Sequence, residues 1–277
     1  MPCGGDRGSG RRSRGTGPLP LSDADRADLR YAKGLLENPS LAAKIADFLG
    51  APIEIGLELL PARVSRAVSS ATQSALTRAL RVAVATMDDR EPVPSSNLLH
   101  KVAVSTTGAL GGFFGLPALT VELPIATTVM LRSIADVARS EGEAIRTLEA
   151  RLACVEVFAL GSARRSDDSA DAGYFAVRAG LARAVSEAAE YIARKGFAEH
   201  GAPAILRLVA QIATRFGVTV SEKVAAQAIP VVGALGGAVV NLAFIDHFQD
   251  VARGHFIVRR LERVHGAAVV RREYERL

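Results

Sequence analysis

Three of the five histidines in this chain fall in one stretch, FIDHFQDVARGHFIVRRLERVHG, at 244–266. Asp246 and Asp250 are four residues apart and His247 and Asp250 three apart, so each pair shares a face if the stretch is helical. With His255 they make up the candidate catalytic group of the sequence: Asp246, His247, Asp250 and His255. Imidazole beside carboxylate is the chemistry of a proton relay or of a metal ligand set. The spacing argues against a single ion, because eight residues of helix separate His247 from His255 by about 12 Å. A seam of interhelical salt bridges and hydrogen bonds is the plainer expectation.

Other catalytic spacings are missing. The nearest string to a nucleophile elbow is LGSARR at 160–165, which lacks GxSxG. No HExxH occurs, and no Cys/His set has zinc spacing. No cofactor and no metal is expected. Two polar residues stand out through their surroundings instead. Glu122 closes the twenty-residue uncharged run VAVSTTGALGGFFGLPALTV at 102–121, and low charge continues to Leu131. It must meet a cation or a helix N-terminus, or hold its proton; Lys101 and Arg132 are the sequence's candidate partners. Asn241 lies in a second uncharged run of twenty-two residues, VAAQAIPVVGALGGAVVNLAFI at 224–245. An amide there needs hydrogen-bond partners, from the core or from a ligand.

Both runs contain GALGG, at 108–112 and 233–237. Gly108 and Gly112, Gly111 and Gly115, and Gly233 and Gly237 each stand four apart, the spacing that bares one helix face for close approach. Glycine inside a helix costs about 1 kcal/mol against alanine, so the repeats call for a compensating contact. A phosphate loop is a poor alternative, since GALGGFFG lacks GxGxxG register and no GxxxxGK[ST] occurs. Each run is long enough to cross a bilayer, yet Pro117, Pro230, Gln227 and Asn241 interrupt them. Burial in a helical core is favoured over insertion into or docking on a membrane.

The elements that must position these residues read as helices. Ala, Val and Leu dominate a chain that is 49% hydrophobic, 5% aromatic and without tryptophan. We find no convincing strand alternation. The expected fold is all-α, a multi-helix globular bundle of about nine to eleven helices, with the two glycine-rich apolar regions at its centre. Residues 1–20 read as a disordered Gly/Arg/Ser/Pro tail and 21–277 as one helical domain. SDAD at 22–25 marks a helix start, with Asp25 in the capping-box position, and a helix is expected over Asp23–Glu37. Further helices are expected over Leu41–Leu49, 51–60, 62–87, Glu143–Leu160, Tyr174–Glu199, Ala202–Phe216 and Asn241–Val264. DDREPVPSSN at 88–97 reads as a linker and GSARRSDDSADAG at 161–173 as an exposed loop. In 62–87, Val64, Val68, Ala71, Ala75, Ala79 and Val82 follow helical spacing, while Arg63, Arg66, Ser70, Gln73, Ser74, Thr77 and Arg81 lie opposite. Such a helix suits a membrane surface or a core; lacking Trp, Phe and a row of Leu on its apolar side, it fits a core better.

The net charge is +5, nearly all from arginine, with 29 Arg and 5 Lys. Basic ends attract phosphate or lipid, or simply form a solvated surface. With so few aromatics a nucleic-acid partner is not expected. Two cysteines make no disulfide framework, and the N-terminus shows no secretory apolar segment.

The strings GALGGFFGLPALTVELPIATTVMLRSIADVARSEGE at 108–143, EVFALGS at 156–162 and SEKVAAQAIPVVGALGGAVVNLAFIDHFQDVARGHFIVRRLERVHG at 221–266 together resemble the EcsC protein family, over roughly residues 25–277. The matching positions include Pro117, Pro124, Gly233, Gly237, Asn241, Phe244, His247, Phe256, Arg260 and Glu262, most of which shape or pack helices. The resemblance implies a bacterial protein of the kind encoded beside an ABC transporter, with a link to transport or secretion. A hydrolase label attached to the family has no catalytic residues to rest on here. The expected function is therefore a non-enzymatic protein at the inner face of the cytoplasmic membrane, binding lipid or an integral membrane protein. The alternative is a hydrolase or small-ligand enzyme built on the Asp/His group. The sequence sets no oligomeric state.

Overall fold

A computed structural model describes residues 20–37, 41–49, 61–86, 116–162, 170–196, 202–228 and 233–277. Among them are nine helices and no strand: α1 (Asp23–Leu36), α2 (Leu41–Leu49), α3 (Ala62–Thr86), α4 (Leu116–Ser140), α5 (Leu148–Leu160), α6 (Ala170–Lys195), α7 (Pro203–Ala228), α8 (Gly233–His265) and α9 (Ala267–Tyr274). The fold is an all-α multi-helix bundle, as the composition leads one to expect. The helix expected over 51–60, the linker at 88–97, and Gly108, Gly111, Gly112 and Gly115 lie outside the described residues.

Helix α5 is the axis of the bundle. Leu152 through Ala159 are buried on every side, as expected of a helix with no polar stripe. Around it pack α3, α4, α6, α7 and α8. Phe158 meets Phe216 of α7 and Phe248 of α8 at centroid distances of 4.9 and 5.5 Å. The apolar face of α3 enters the same core, with Val64, Val68, Ala71, Ala75 and Ala79 buried. A second, smaller core joins the chain ends: Leu29 and Ala32 of α1 pack with Val258 and Leu261 of α8 and with Val270 and Tyr274 of α9.

Local chemistry explains several boundaries, including those that differ from expectation. Ser22 caps α1 as expected, its hydroxyl accepting from the Asp25 amide while the Asp25 carboxylate accepts from the Ser22 amide. Helix α5 begins at Leu148 rather than Glu143. Gly142, at φ +77°, turns the chain after α4, and the Thr147 hydroxyl accepts from the Ala150 amide to start α5 afresh. Helix α7 runs on through GVTVSEK to Ala228. Gly217 and the β-branched residues disfavour helix there, but burial of Phe216, Val220 and Lys223 overrides that preference. Helix α8 starts at Gly233, about two turns before Asn241, and Gly266 at φ +86° divides it from α9, which the sequence does not announce. The loop expected at 161–173 is shorter: Gly161 is buried and α6 already begins at Ala170.

One glycine marks a close crossing. A Cβ on Gly254 of α8 would lie 2.9 Å from the Ala32 carbonyl oxygen and 2.8 Å from Leu36 Cγ, both on α1. Gly254→Ala is expected to lower stability by about 1–2 kcal/mol, because the backbone clash outweighs the better helix propensity of alanine. A thermal unfolding midpoint equal to or above that of the wild type contradicts this crossing.

Candidate functional site

Glu122 finds its cation 101 residues away. Lys223 Nζ of α7 donates to Glu122 Oε1 of α4 at 2.8 Å, and both residues are buried. Asn241 Nδ2 of α8 lies 3.5 Å from the same oxygen. The ammonium also sits 5.1 Å from the centroid of the Phe244 ring. Arg132, a candidate partner from the sequence, is exposed instead, and Lys101 lies outside the described residues. Glu122 follows the first uncharged run and Lys223 precedes the second, so the charges that bound the two runs hold each other. Three helices are pinned at one point, and Asn241 acts as a core amide. Gly237, one turn before Asn241, is buried, in keeping with close packing of that face.

The four candidate catalytic residues do not converge. His247 Nε2 lies 2.5 Å from the Gly161 carbonyl, so the neutral ring donates from Nε2. Burial pushes His247 down to about 4, with the Gly161 hydrogen bond opposing, the Lys44 charge assisting and Asp250 opposing. Asp250 pairs with Lys44 of α2 at 3.0 Å. Asp246 is half-buried on α8.

His255 belongs to a different cluster, between α6 and α8. Arg178 Nη1 and Nη2 donate to the two oxygens of Glu262, both at 2.9 Å, and Nη1 also donates to Tyr174 Oη at 3.3 Å. A guanidinium has only donors, so the tyrosine hydroxyl passes its own proton on to His255 Nδ1, at 2.9 Å. The imidazole proton is thereby placed on Nε2, which is buried without a hydrogen-bond partner among the described residues. Burial, then the charges of Arg178 and Arg259, holds His255 well below its ordinary value. Beside this chain, burial raises the Glu156 carboxyl against the pull of Arg178 and Arg259. Arg259 in turn donates to both oxygens of Glu143, at 2.8 and 3.2 Å. Tyr174, Arg178, Glu156 and Lys223 escape a reading of the sequence, although Glu262 is among the positions that carry the family resemblance. Hydrolysis would need a nucleophile, a base and an open cleft together, whereas His247 and His255 are sealed in separate parts of the core. Among the described residues no group of three or more His, Cys, Asp and Glu side chains is placed to hold a metal ion.

The unmet chemistry is on the outside. On α3 the polar face, Arg63 through Arg81, is turned to solvent. On α4, Val121 and Ile125 stand one turn apart and are 64% and 41% exposed. Leu206 and Val218 are exposed on α7, and Pro203–Gln227 is the one described helix long and apolar enough to cross a membrane. Its apolar window is 44% buried, and its inner face supplies Leu208, Ile212 and Phe216 to the core.

The model of the EcsC protein family matches residues 34–261. No curated protein and no solved structure matches the chain.

Proposed function

The chain belongs to the EcsC protein family, and from that premise we propose a non-enzymatic protein that works against the inner face of the cytoplasmic membrane, binding lipid or an integral membrane partner such as a transporter. The observation that carries the reading is the exposed apolar pair Val121 and Ile125 in the first half of α4, where Val121 closes the first uncharged run. Neither side chain has a packing role that explains leaving it in water, while within the bundle Glu122 pairs with Lys223 and Arg178 with Glu262. A basic chain of net charge +5 adds attraction to an anionic leaflet.

Co-sedimentation with phosphatidylglycerol-containing vesicles at low salt tests the reading. The full chain is expected in the vesicle pellet, and Val121→Ser/Ile125→Ser is expected to reduce partition by about threefold to tenfold from lost apolar contact. A chain that stays wholly in the supernatant, with vesicles of any composition, ends the proposal.

A further inference from the structure

On the outer face of α3, Arg63, Arg66, Ser70, Ser74, Arg78 and Arg81 form one stripe, at successive offsets of three, four, four, four and three residues. The stripe spans about 27 Å of straight helix. The whole of α3, from Ala62 to Thr86, holds four arginines and no acidic residue. Among the described residues Arg63, Arg66 and Arg78 meet no carboxylate, and Ser70 and Ser74 make no side-chain hydrogen bond. On α6 and α9, by contrast, Arg183, Arg194 and Arg271 pair with Glu187, Glu190 and Glu275 one turn away on the same helix. Toward its C-terminal half, α3 lines a shallow depression of about 650 Å³ with Gln73, Ser74, Thr77, Arg78, Arg81 and Val82.

We propose that this face of α3 seats on the phosphate-bearing headgroups of an anionic membrane. The inference rests on the membrane-face reading and deepens it by naming the surface and the ligand chemistry. Forked guanidinium donors match phosphate oxygens, and the serine hydroxyls donate between them. The depression holds two arginines and two hydroxyl groups within one headgroup's reach. Helix α4, which packs most extensively against α3, carries Val121 and Ile125. Arginines on one helix and apolar side chains on its neighbour are the two components of an interfacial contact. The apolar residues of α3 are buried in the core, as their spacing predicts; the arginine face is what that burial leaves over. A nucleic acid is the less apt partner for the same charge, because α3 has no aromatic side chain on which a base can stack.

The test uses the full chain and vesicles of phosphatidylcholine with about one-third phosphatidylglycerol, against phosphatidylcholine alone. Wild-type protein is expected to bind only the anionic vesicles and to be released as salt rises toward about 0.5 M. The variant Arg63→Gln/Arg66→Gln/Arg78→Gln/Arg81→Gln is expected to lose at least tenfold in partition, since each basic side chain near an anionic leaflet contributes about fivefold. Its helix content and unfolding midpoint stay at wild-type values, because glutamine keeps the helix propensity of arginine on an exposed face. The control is Arg183→Gln/Arg194→Gln/Arg271→Gln/Arg276→Gln, which removes the same charge from α6, α9 and the residues after it and is expected to lose much less. Equal loss in both variants overturns the assignment to α3 while leaving membrane binding intact. Binding of the wild type to no vesicle overturns the membrane reading itself. Tighter binding to a DNA or RNA duplex than to anionic vesicles, with the same four arginines required, overturns the lipid assignment in favour of a nucleic acid.

Discussion

Lys223→Met is expected to destabilise the protein by about 3–5 kcal/mol, the usual cost of removing one member of a buried ion pair. The Glu122 carboxylate would be left in the core, its 2.8 Å ammonium partner gone and only the 3.5 Å contact to Asn241 in its place. The cost arises from that stranded charge and only weakly from lost packing, because methionine fills most of the lysine volume. A double substitution separates the two. Glu122→Gln/Lys223→Met removes both charges and is expected to recover most of the lost stability, giving a large coupling energy between the sites. Urea unfolding of the four proteins measures it. A loss below about 1 kcal/mol in Lys223→Met alone shows that the pair is not sealed from water.

Acid is expected to unfold the protein well above the pH at which its carboxylates titrate. His247 has an ordinary value of 6.5 and is pushed down to about 4 in the fold, so between these limits the unfolded chain binds a proton that the folded chain refuses. Stability therefore rises with pH across this window and is lost as pH falls from 6.5 toward 4, by about 3 kcal/mol for His247 alone. His255 is shifted in the same direction, and a second proton would have to enter at Nδ1, where the Tyr174 hydroxyl already donates, so it adds to the loss. Glu156 acts with the opposite sign: its raised value means the folded state takes up a proton first, which relieves a buried charge as pH falls. His247→Gln retains a donor for the Gly161 carbonyl and cannot titrate. Urea midpoints at a series of pH values are expected to fall steeply for the wild type and more gently for this variant. Identical slopes would remove His247 as a cause of acid sensitivity.

The parts of the fold that follow from local pattern are legible in the sequence. The 3.6-residue spacing of Val64, Val68, Ala71, Ala75 and Ala79 in α3 predicts its buried face, and Ser22 with Asp25 predicts where α1 begins. Parts settled by distant contacts are not legible. Lys223 stands in the sequence only as the end of an uncharged run; nothing near it in the chain announces that Glu122 is its partner. Arg178 and Glu262 are 84 residues apart and give no local sign of a bidentate pair. Helix α7 looks interrupted at GVTVSEK because propensity is a weak term, and the core claims Phe216 and Val220 regardless. The Asp/His stretch of α8 is helical, but a 33-residue helix presents each face to different neighbours along its length. His247 thus meets the end of α5, Asp250 meets α2 and His255 meets α6.

The junction of α1 with α8 and α9 has a consequence for synthesis. Arg26 reaches Glu273, Lys33 reaches the Tyr274 carbonyl, and Arg260 reaches Asp28, across separations of 247, 241 and 232 residues. Leu29 and Ala32 have their burial partners in the same late part of the chain. As the chain leaves the ribosome, α1 emerges early and waits exposed until nearly all the rest has followed. Closure of this junction is then a late step in maturation, and a nascent chain stalled before α9 presents an unclasped, amphipathic α1 with Leu29 and Ala32 uncovered to chaperones and proteases.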